Sequence, residues 1–321
     1  MKPLAWILPF GLCLAPLSAT NAADYPVRPI RLIVPFGPGG GTDTSGRLLA
    51  QHLSTSLGQT VVVENRPGAA GMLAVDGVAK AAPDGYTLLL CDTSYAINAA
   101  LRPREGFDYV RGMRPVARFA ASPMVLAVKQ DLPARTTAEY VALARARPDS
   151  LNVGSAGNGS IGHLSKALFD DVAGIRSTHV PYKGSSAAVS DLLAGQIDAV
   201  FGTLPSLVSH AGTSRVRLLA VMSGRRSTLA PDLPAAGEAG LAGLEAVSWF
   251  GVIAPARTPD NIVTRLDQAI ARITQDPAFR QALARQGMEG DYAAAAGFTS
   301  SLTDEVAKWK QVIGAARITA D

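Results

Sequence analysis

Two glycine-rich segments of this sequence have the composition of loops that hold an anion. The first occupies residues 37–41, and Thr42 and Asp43 follow it directly. Three consecutive glycines let the backbone approach a ligand closely. A helix that begins after them presents unpaired N–H groups and a partial positive charge. We therefore expect this segment to bind an anion; a tight turn in which Thr42 only caps the helix is the alternative.

The spacing of these glycines does not fit the common nucleotide-binding motifs. The dinucleotide fingerprint needs a third glycine at position 42, where this chain has Thr42, and the P-loop needs a lysine after its glycines. A carboxylate therefore suits the loop better than ATP or NAD. No cofactor is predicted.

The second segment spans residues 154–160 and also stands between a predicted strand and a predicted helix. A third loop, at residues 180–185, follows the next strand. Ligands of open parallel sheets bind outside the carboxyl ends of the strands, where such loops lie. The loops together predict a cleft closed from two sides. Asp198, after Gly195 and Gln196, is expected to hold a loop or to accept a hydrogen bond from a ligand amine.

Signatures of catalysis are weak in this chain. The sequence has no Gly-x-Ser-x-Gly elbow, and its four histidines show no His-Glu-x-x-His or zinc-binding spacing. His163, at the start of a predicted helix, could touch a ligand, although capping or packing is commoner. Cys91 has no basic neighbour in sequence, so a buried inert thiol is expected. We predict neither catalytic residues nor metal ligands.

Apolar runs that indicate strands alternate with helical patterns along most of the chain. Strands are predicted at 30–34, 61–64, 87–90, 124–128, 151–153, 177–180, 197–201, 217–222 and 246–253. Helices are predicted at 42–57, 72–82, 137–146, 163–172 and 185–194, with two more after Thr258. The strands read as continuous apolar segments, as expected of parallel sheets covered by helices on both faces.

Two such α/β series without a flexible linker predict two lobes joined by crossing strands. The crossings are expected at 118–125 and 247–254. The first lobe would comprise residues 23–122 and 251–321, and the second residues 123–250. Each lobe would be a mainly parallel sheet flanked by helices, with the ligand in the cleft between the lobes.

Composition and the amino terminus restrict the class of protein further. The chain has 321 residues, 48% of them hydrophobic, which predicts about two globular domains. A basic start, a short apolar run at 4–17 and small residues up to Ala22 predict a signal peptide, residues 1–22. The formal charge is 30 − 26 = +4 with no Lys/Arg run, so no nucleic-acid partner is expected.

Several motifs in order resemble those of the tripartite tricarboxylate transporter solute-binding proteins, or Bug family. They stand at residues 25–26, 29–36, 39–43, 62–69, 82–88, 157–160, 179–184 and 248–251. The resemblance covers nearly all of the chain after residue 22. It implies a type II periplasmic binding protein, a monomer that captures a small organic acid or amino-acid-like ligand and delivers it to membrane permease subunits. A partner of a membrane sensor kinase and a small hydrolase or transferase on a similar scaffold are the alternatives.

The resemblance also implies which residues hold the ligand. The substrate-binding residues carried over are Phe36, Gly39, Gly40, Thr42, Asp43, Thr93, Ser94, Asn158, Gly159, Ser160, Tyr182, Asp198 and Thr203. Two segments depart from the family pattern, at 91–98 and 201–205. Both are expected to line the far end of the pocket. Asp92 is an extra acid there and favours a ligand amine or hydroxyl, because a nearby like charge is costly.

Overall fold

The computed structural model describes residues 25–102, 107–182, 184–208, 210 and 215–319. The expected signal peptide lies outside these residues, so its cleavage after Ala22 stays a prediction. None of the helices in the described part of the chain has the length and apolar character needed to cross a membrane.

Strands and helices alternate along the described residues. The strands are β1 (Ile30–Val34), β2 (Val61–Asn65), β3 (Thr87–Asp92), β4 (Met113–Lys129), β5 (Asn152–Ser155), β6 (Thr178–Pro181), β7 (Ala199–Thr203), β8 (Val216–Val221), β9 (Val247–Pro255) and β10 (Glu289–Ala294). The helices are α1 (Gly41–Leu57), α2 (Met72–Ala79), α3 (Thr93–Leu101), α4 (Thr137–Ala146), α5 (Ile161–Ala173), α6 (Ser185–Leu193), α7 (Leu204–Val208), α8 (Asp260–Gln275), α9 (Pro277–Arg285) and α10 (Ala295–Ala316). The predicted alternation is confirmed, and α3, α7, α9 and β10 are additions to it.

One long strand, β4, connects two sheet regions. Its first half, residues 113–123, pairs with β9, and β10 also pairs with this half, around residues 117–121. Its second half, from residue 124, lies between β7 and β8. The sheet order is β2-β1-β3-β9-β4-β7-β5-β6. We call the region of β1, β2, β3 and β9 the first lobe and the region of β5, β6 and β7 the second lobe.

The outer strands of both lobes are parallel and the crossing strands are antiparallel. β1 pairs with β2 and β3 in parallel, and β5 pairs with β6 and β7 in parallel. Parallel strands need a helical crossover, and their carboxyl ends then share one edge of the sheet. The loops after β1, β3, β5 and β7 therefore point toward the crossing strands. The predicted division at 122/123 and 250/251 stays a prediction, although β4 changes partners between Pro123 and Met124.

The first lobe is built on a core between its sheet and three helices. Buried apolar side chains of β1, β3 and β9 pack against α1, α8 and α9, with Leu32, Leu49 and Leu266 fully buried among them. Burial of such side chains is worth about 1.5–3 kcal/mol each. This core fixes where α1 begins relative to β3 and β9, and so positions one wall of the cleft.

Candidate functional site

A cavity of about 160 Å³ lies where the two lobes meet. Its floor is formed by the crossing strands, through Ser122 and Met124 of β4 and Ser248 and Phe250 of β9. Alternate residues of a strand share one face, which explains the spacing of two in each pair. Ser122 and Ser248 are direct neighbours in the β4–β9 pairing. The floor is therefore formed by small polar side chains at Ser122 and Ser248 and by apolar side chains at Met124 and Phe250.

The first-lobe wall is the start of α1 together with the end of β3. Gly41 and Thr42 line the cavity there, and so does Asp92. The residue before the helix, Gly40, provides no side-chain hydrogen bond to the first amides of α1. Gly39 has φ +87°, a left-handed conformation that favours glycine. The loop thus leaves the helix start open toward the cavity.

The second-lobe wall combines two helix starts with the ends of β5 and β7. Ile161 and Gly162 begin α5, and Ser185 begins α6; all three line the cavity. The residue before α6, Gly184, gives no side-chain cap, whereas Ser160 accepts from the His163 N–H at the start of α5. Helices α1 and α6 thus approach the cavity from opposite lobes, and the residue before each gives no side-chain cap.

Asp92 is buried in the first-lobe wall, with 9% of its surface exposed. Its Oδ2 accepts from Thr42 Oγ1 at 2.5 Å, and its Oδ1 accepts from the N–H of Ser94 at 2.9 Å and from the Ser94 hydroxyl. Burial raises the pKa of Asp92, and these hydrogen bonds offset only part of the rise. The carboxyl group expected as an extra acid therefore does face the cavity.

Asp43 holds the first glycine loop instead of facing the cavity. Its Oδ2 accepts from the N–H of Gly39 at 2.9 Å and from Arg47 Nε at 3.0 Å, and its Oδ1 accepts from Asn65 at 2.8 Å. Burial alone would raise the pKa of this carboxyl, but the three hydrogen bonds and the Arg47 charge lower it. Asn65 also donates to the carbonyl of Phe36 at 2.9 Å, so both residues belong to the frame of the loop.

Two stacked histidines support the second glycine loop. The rings of His163 and His179 lie 3.7 Å apart and almost parallel. His179 Nε2 is hydrogen-bonded to the hydroxyl of Ser155 at 2.6 Å, and the N–H of Gly159 donates to His163 Nδ1 at 3.2 Å. Burial lowers the pKa of each ring to about 4. The pair is therefore neutral at pH 7, and it connects the loop to Ser155, which lines the cavity.

Thr93 bridges the start of α3 to the crossing strand β9. Its hydroxyl donates to the carbonyl of Val247 at 3.1 Å and accepts from the N–H of Trp249 at 3.0 Å. One donor and one acceptor are thereby both used within the protein. Thr93 is fully buried and does not line the cavity.

Replacement of Thr93 by valine should therefore destabilise the fold. The change leaves the buried groups of Val247 and Trp249 without their partner at nearly constant side-chain volume, so we expect a loss of about 1–2 kcal/mol in the free energy of unfolding. Urea denaturation measures it, with Thr93→Ser as the control that keeps the hydroxyl. Equal stability of the valine and serine variants would contradict this bridging role.

The other predicted ligand residues are spread around the cavity. Thr203 lines it with Thr42, while the remaining predicted residues do not. The hydroxyl of Tyr182 donates to Asp191 at 2.7 Å. Asp198 precedes β7 at the end opposite Thr203, where it pairs with Lys129 Nζ at 2.9 Å and accepts from the N–H of Asn152 at 2.8 Å. The non-lining residues are Phe36, Gly39, Gly40, Asp43, Thr93, Ser94, Asn158, Gly159, Ser160, Tyr182 and Asp198. Their roles as ligand residues stay predictions.

Sequence reasoning missed most of the floor and the second-lobe wall. Ser122 and Met124 lie in one of the segments expected to cross between lobes, and Ser248 and Phe250 lie in the other; neither segment was assigned a ligand residue. Their spacing of two on a crossing strand is the signal that could have found them. The described residues contain no group of three His, Cys, Asp or Glu side chains placed to hold a metal ion.

A cleft lined from two α/β lobes and floored by the strands that cross between them defines the type II periplasmic binding protein fold. The family model of the tripartite tricarboxylate transporter family receptor matches residues 46–318, and this chain belongs to that family. The match confirms the resemblance to the Bug proteins. The family consists of solute-binding receptors.

Relatives and solved structures agree with this assignment over most of the chain. BugT of Bordetella pertussis is 36% identical over 316 residues, which cover 98% of this chain and 97% of BugT. The R. palustris protein Rpa4515, solved with adipate, has a TM-score of 0.84 and 35% identity, covering 92% of this chain and 99% of that one. MatC from Rhodopseudomonas palustris, solved with malate, has a TM-score of 0.79 and 31% identity, covering 90% of this chain and all of MatC.

Proposed function

We propose that this chain is a periplasmic receptor that captures a small carboxylate-containing solute in the cleft. The observation that carries the proposal is the pair of helix starts that face the cavity from opposite lobes. Neither Gly40 before α1 nor Gly184 before α6 supplies a side-chain cap. The free amides and the positive ends of the helix dipoles are ready to bind an anion.

The side chains around the cavity support an uncharged mode of anion binding. No lysine or arginine is among the described residues that line it. A carboxylate would therefore be held by backbone N–H groups and by a hydroxyl such as that of Ser248. Two structural relatives were solved with adipate and malate, which are small carboxylates.

Membership of this family supports a role in delivery to a transporter. The receptor would act as a monomer without catalytic activity and hand its solute to the membrane permease subunits of a tripartite tricarboxylate-type transporter.

Ligand that touches both lobes shifts an open–closed equilibrium toward the closed form through contacts made only in the closed form. Export through the predicted signal peptide would place the receptor in the periplasm, and amino-terminal sequencing of the exported protein should find Ala23 as its first residue.

A thermal-shift screen of mono-, di- and tricarboxylates tests the carboxylate proposal. A true ligand at a hundredfold excess over its dissociation constant should stabilise the protein by about 2.7 kcal/mol. The primary amide of each hit, which has nearly the same shape and no charge, is the matched control and should not bind. X-ray scattering should show compaction with the acid alone. Equal stabilisation by acid and amide would refute the proposal.

A further inference from the structure

One wall of the cavity carries a carboxylate that the binding of a simple organic acid does not explain. Asp92 is the one residue with an ionisable acidic or basic side chain among the described residues that line the cavity. It stands at the end of β3, beside the start of α1, where the ligand carboxylate is expected. Two like charges in one buried site repel strongly, so a ligand with only carboxylates would be disfavoured there.

The hydrogen bonds around Asp92 leave Asp92 and Thr42 with acceptor atoms only for a ligand. Thr42 gives its single hydroxyl hydrogen to Asp92 Oδ2 at 2.5 Å, so its oxygen can only accept from a further partner. Both hydrogens that reach Oδ1 come from Ser94. A ligand group placed between Asp92 and Thr42 therefore meets lone pairs from both side chains and must itself be a donor.

Asp92 has no cationic partner among the described residues. It is absent from the ion pairs of this part of the chain, whose carboxylates elsewhere pair with arginine, lysine or histidine. Burial raises its pKa, and the opposing influences are hydrogen bonds alone. A buried carboxylate without a counter-charge is costly, and a cation brought in by the ligand would offset that cost.

Capping of α3 does not by itself account for an acid at this position. Asp92 is the N-cap of α3 and accepts from the Ser94 N–H. Asparagine and serine cap helices about as well as aspartate, and they avoid the cost of a buried charge. Capping therefore explains the side-chain oxygen at position 92 but not its negative charge.

We propose that the receptor binds a small amino acid, with its carboxylate at the start of α1 and its ammonium group on Asp92 and Thr42. Thr42 lies at the start of α1, where the carboxylate binds, and its hydroxyl oxygen also binds the ammonium group. The two ligand groups must therefore be close to each other, as they are in a 2-amino acid. This inference rests on the proposed function and narrows its ligand class. The ammonium would be a charge-assisted donor to Asp92 Oδ2 and to Thr42 Oγ1, the two acceptors that remain.

Titration calorimetry with matched ligand pairs tests the inference. Each pair is a 2-amino acid and the acid that lacks its amine: alanine and propionate, leucine and 4-methylpentanoate, glutamate and glutarate. For the best pair, we expect the wild type to prefer the amino acid by at least about 30-fold, and Asp92→Asn to lower its affinity on the order of 100-fold. The affinity for the acid without an amine should stay equal or rise.

Two further variants keep the result interpretable. Asp267→Asn changes a carboxyl that accepts from Tyr292 on the surface of α8 and lies outside the cavity, so the ligand preference should persist. If Asp92→Asn does not fold, Asp92→Ser preserves a capping oxygen without the charge. A structural role alone would alter stability in these Asp92 variants and leave the preference between the paired ligands intact.

The experiment distinguishes failure of the amino-acid inference from failure of the proposed carboxylate function. Equal wild-type affinity for both members of every pair, or a preference that survives in Asp92→Asn, would overturn the amino-acid inference and leave the carboxylate receptor standing. Binding of no carboxylate at all, with or without an amine, would overturn both.

Discussion

Replacement of Gly41 by leucine is expected to abolish ligand binding and leave the fold intact. Gly41 is the first residue of α1 and lines the cavity, and a Cβ added there would lie 3.8 Å from Phe250 Cζ, an ordinary contact. The rest of a leucine side chain would then occupy the cavity and cover the α1 amides. Loss of two charge-assisted hydrogen bonds at about 1.5 kcal/mol each corresponds to a loss of affinity of more than about 100-fold.

The same change at Gly314 provides the matched control. Gly314 lies on the exposed side of α10, and nothing is within 4 Å of a Cβ built there. Calorimetry should show wild-type affinity for Gly314→Leu and no detectable binding for Gly41→Leu, with both proteins melting near the wild-type temperature. Tight binding by Gly41→Leu would show that the ligand does not use the start of α1.

The parts of the fold that follow from local sequence were predictable. The strand β1 is apolar at four of its five positions and α1 shows leucines at helical spacing, so the sequence alone predicts both, and the structure confirms them. The strand β10 reads Glu-Gly-Asp-Tyr-Ala-Ala, which has almost no strand preference. It forms because the edge of β4 offers hydrogen-bonding partners. This is a tertiary effect that no local sequence pattern predicts.

The residues of the site also divide into those that local sequence predicts and those whose position depends on tertiary structure. Helix starts after glycines mark the α1 wall, and Thr42 was identified from that pattern. Other polar residues were harder to place, because Asp43 and Thr93 form their hydrogen bonds with the protein itself. The face that Ser248 presents depends on the register between β9 and β4, which shifts twice at irregular pairs. Register is a property of the assembled sheet, so the spacing of two shows which residues of a strand share a face but not that this face forms the floor.

The stacked histidines show how the second glycine loop depends on protonation. Their rings touch face to face and Lys166 is the cation that acts on both, so a proton on either ring meets burial and a nearby positive charge. Gly159 donates its N–H to His163 Nδ1, which places the neutral ring's hydrogen on Nε2. A proton on Nδ1 would break that hydrogen bond. The loop is therefore held in place by the neutral form of the pair.

We expect the stability of the folded protein to fall as the pH drops from about 6.5 to about 4. The pKa of each folded ring is lowered to about 4, whereas an unfolded histidine titrates near 6.5. Between these values the unfolded chain binds protons that the folded chain does not, so acid favours unfolding; above pH 6.5 both states are neutral and the effect vanishes. Since the rings are partly exposed, we discount the full conversion of 1.36 kcal/mol per pKa unit and expect on the order of 2–3 kcal/mol for the pair.

Urea denaturation at pH 7, 5.5 and 4 in the wild type and in the double variant His163→Gln, His179→Gln measures this contribution. The double variant removes both titrating rings, so its stability should depend less steeply on pH over this range, although it starts lower at pH 7 because the stack and the Ser155 hydrogen bond are lost. His52→Gln is the control for loss of a histidine outside the stack, since His52 packs on Phe279 in the first lobe. Parallel profiles for the wild type and the double variant would mean that the pair makes no contribution to the loss of stability in acid.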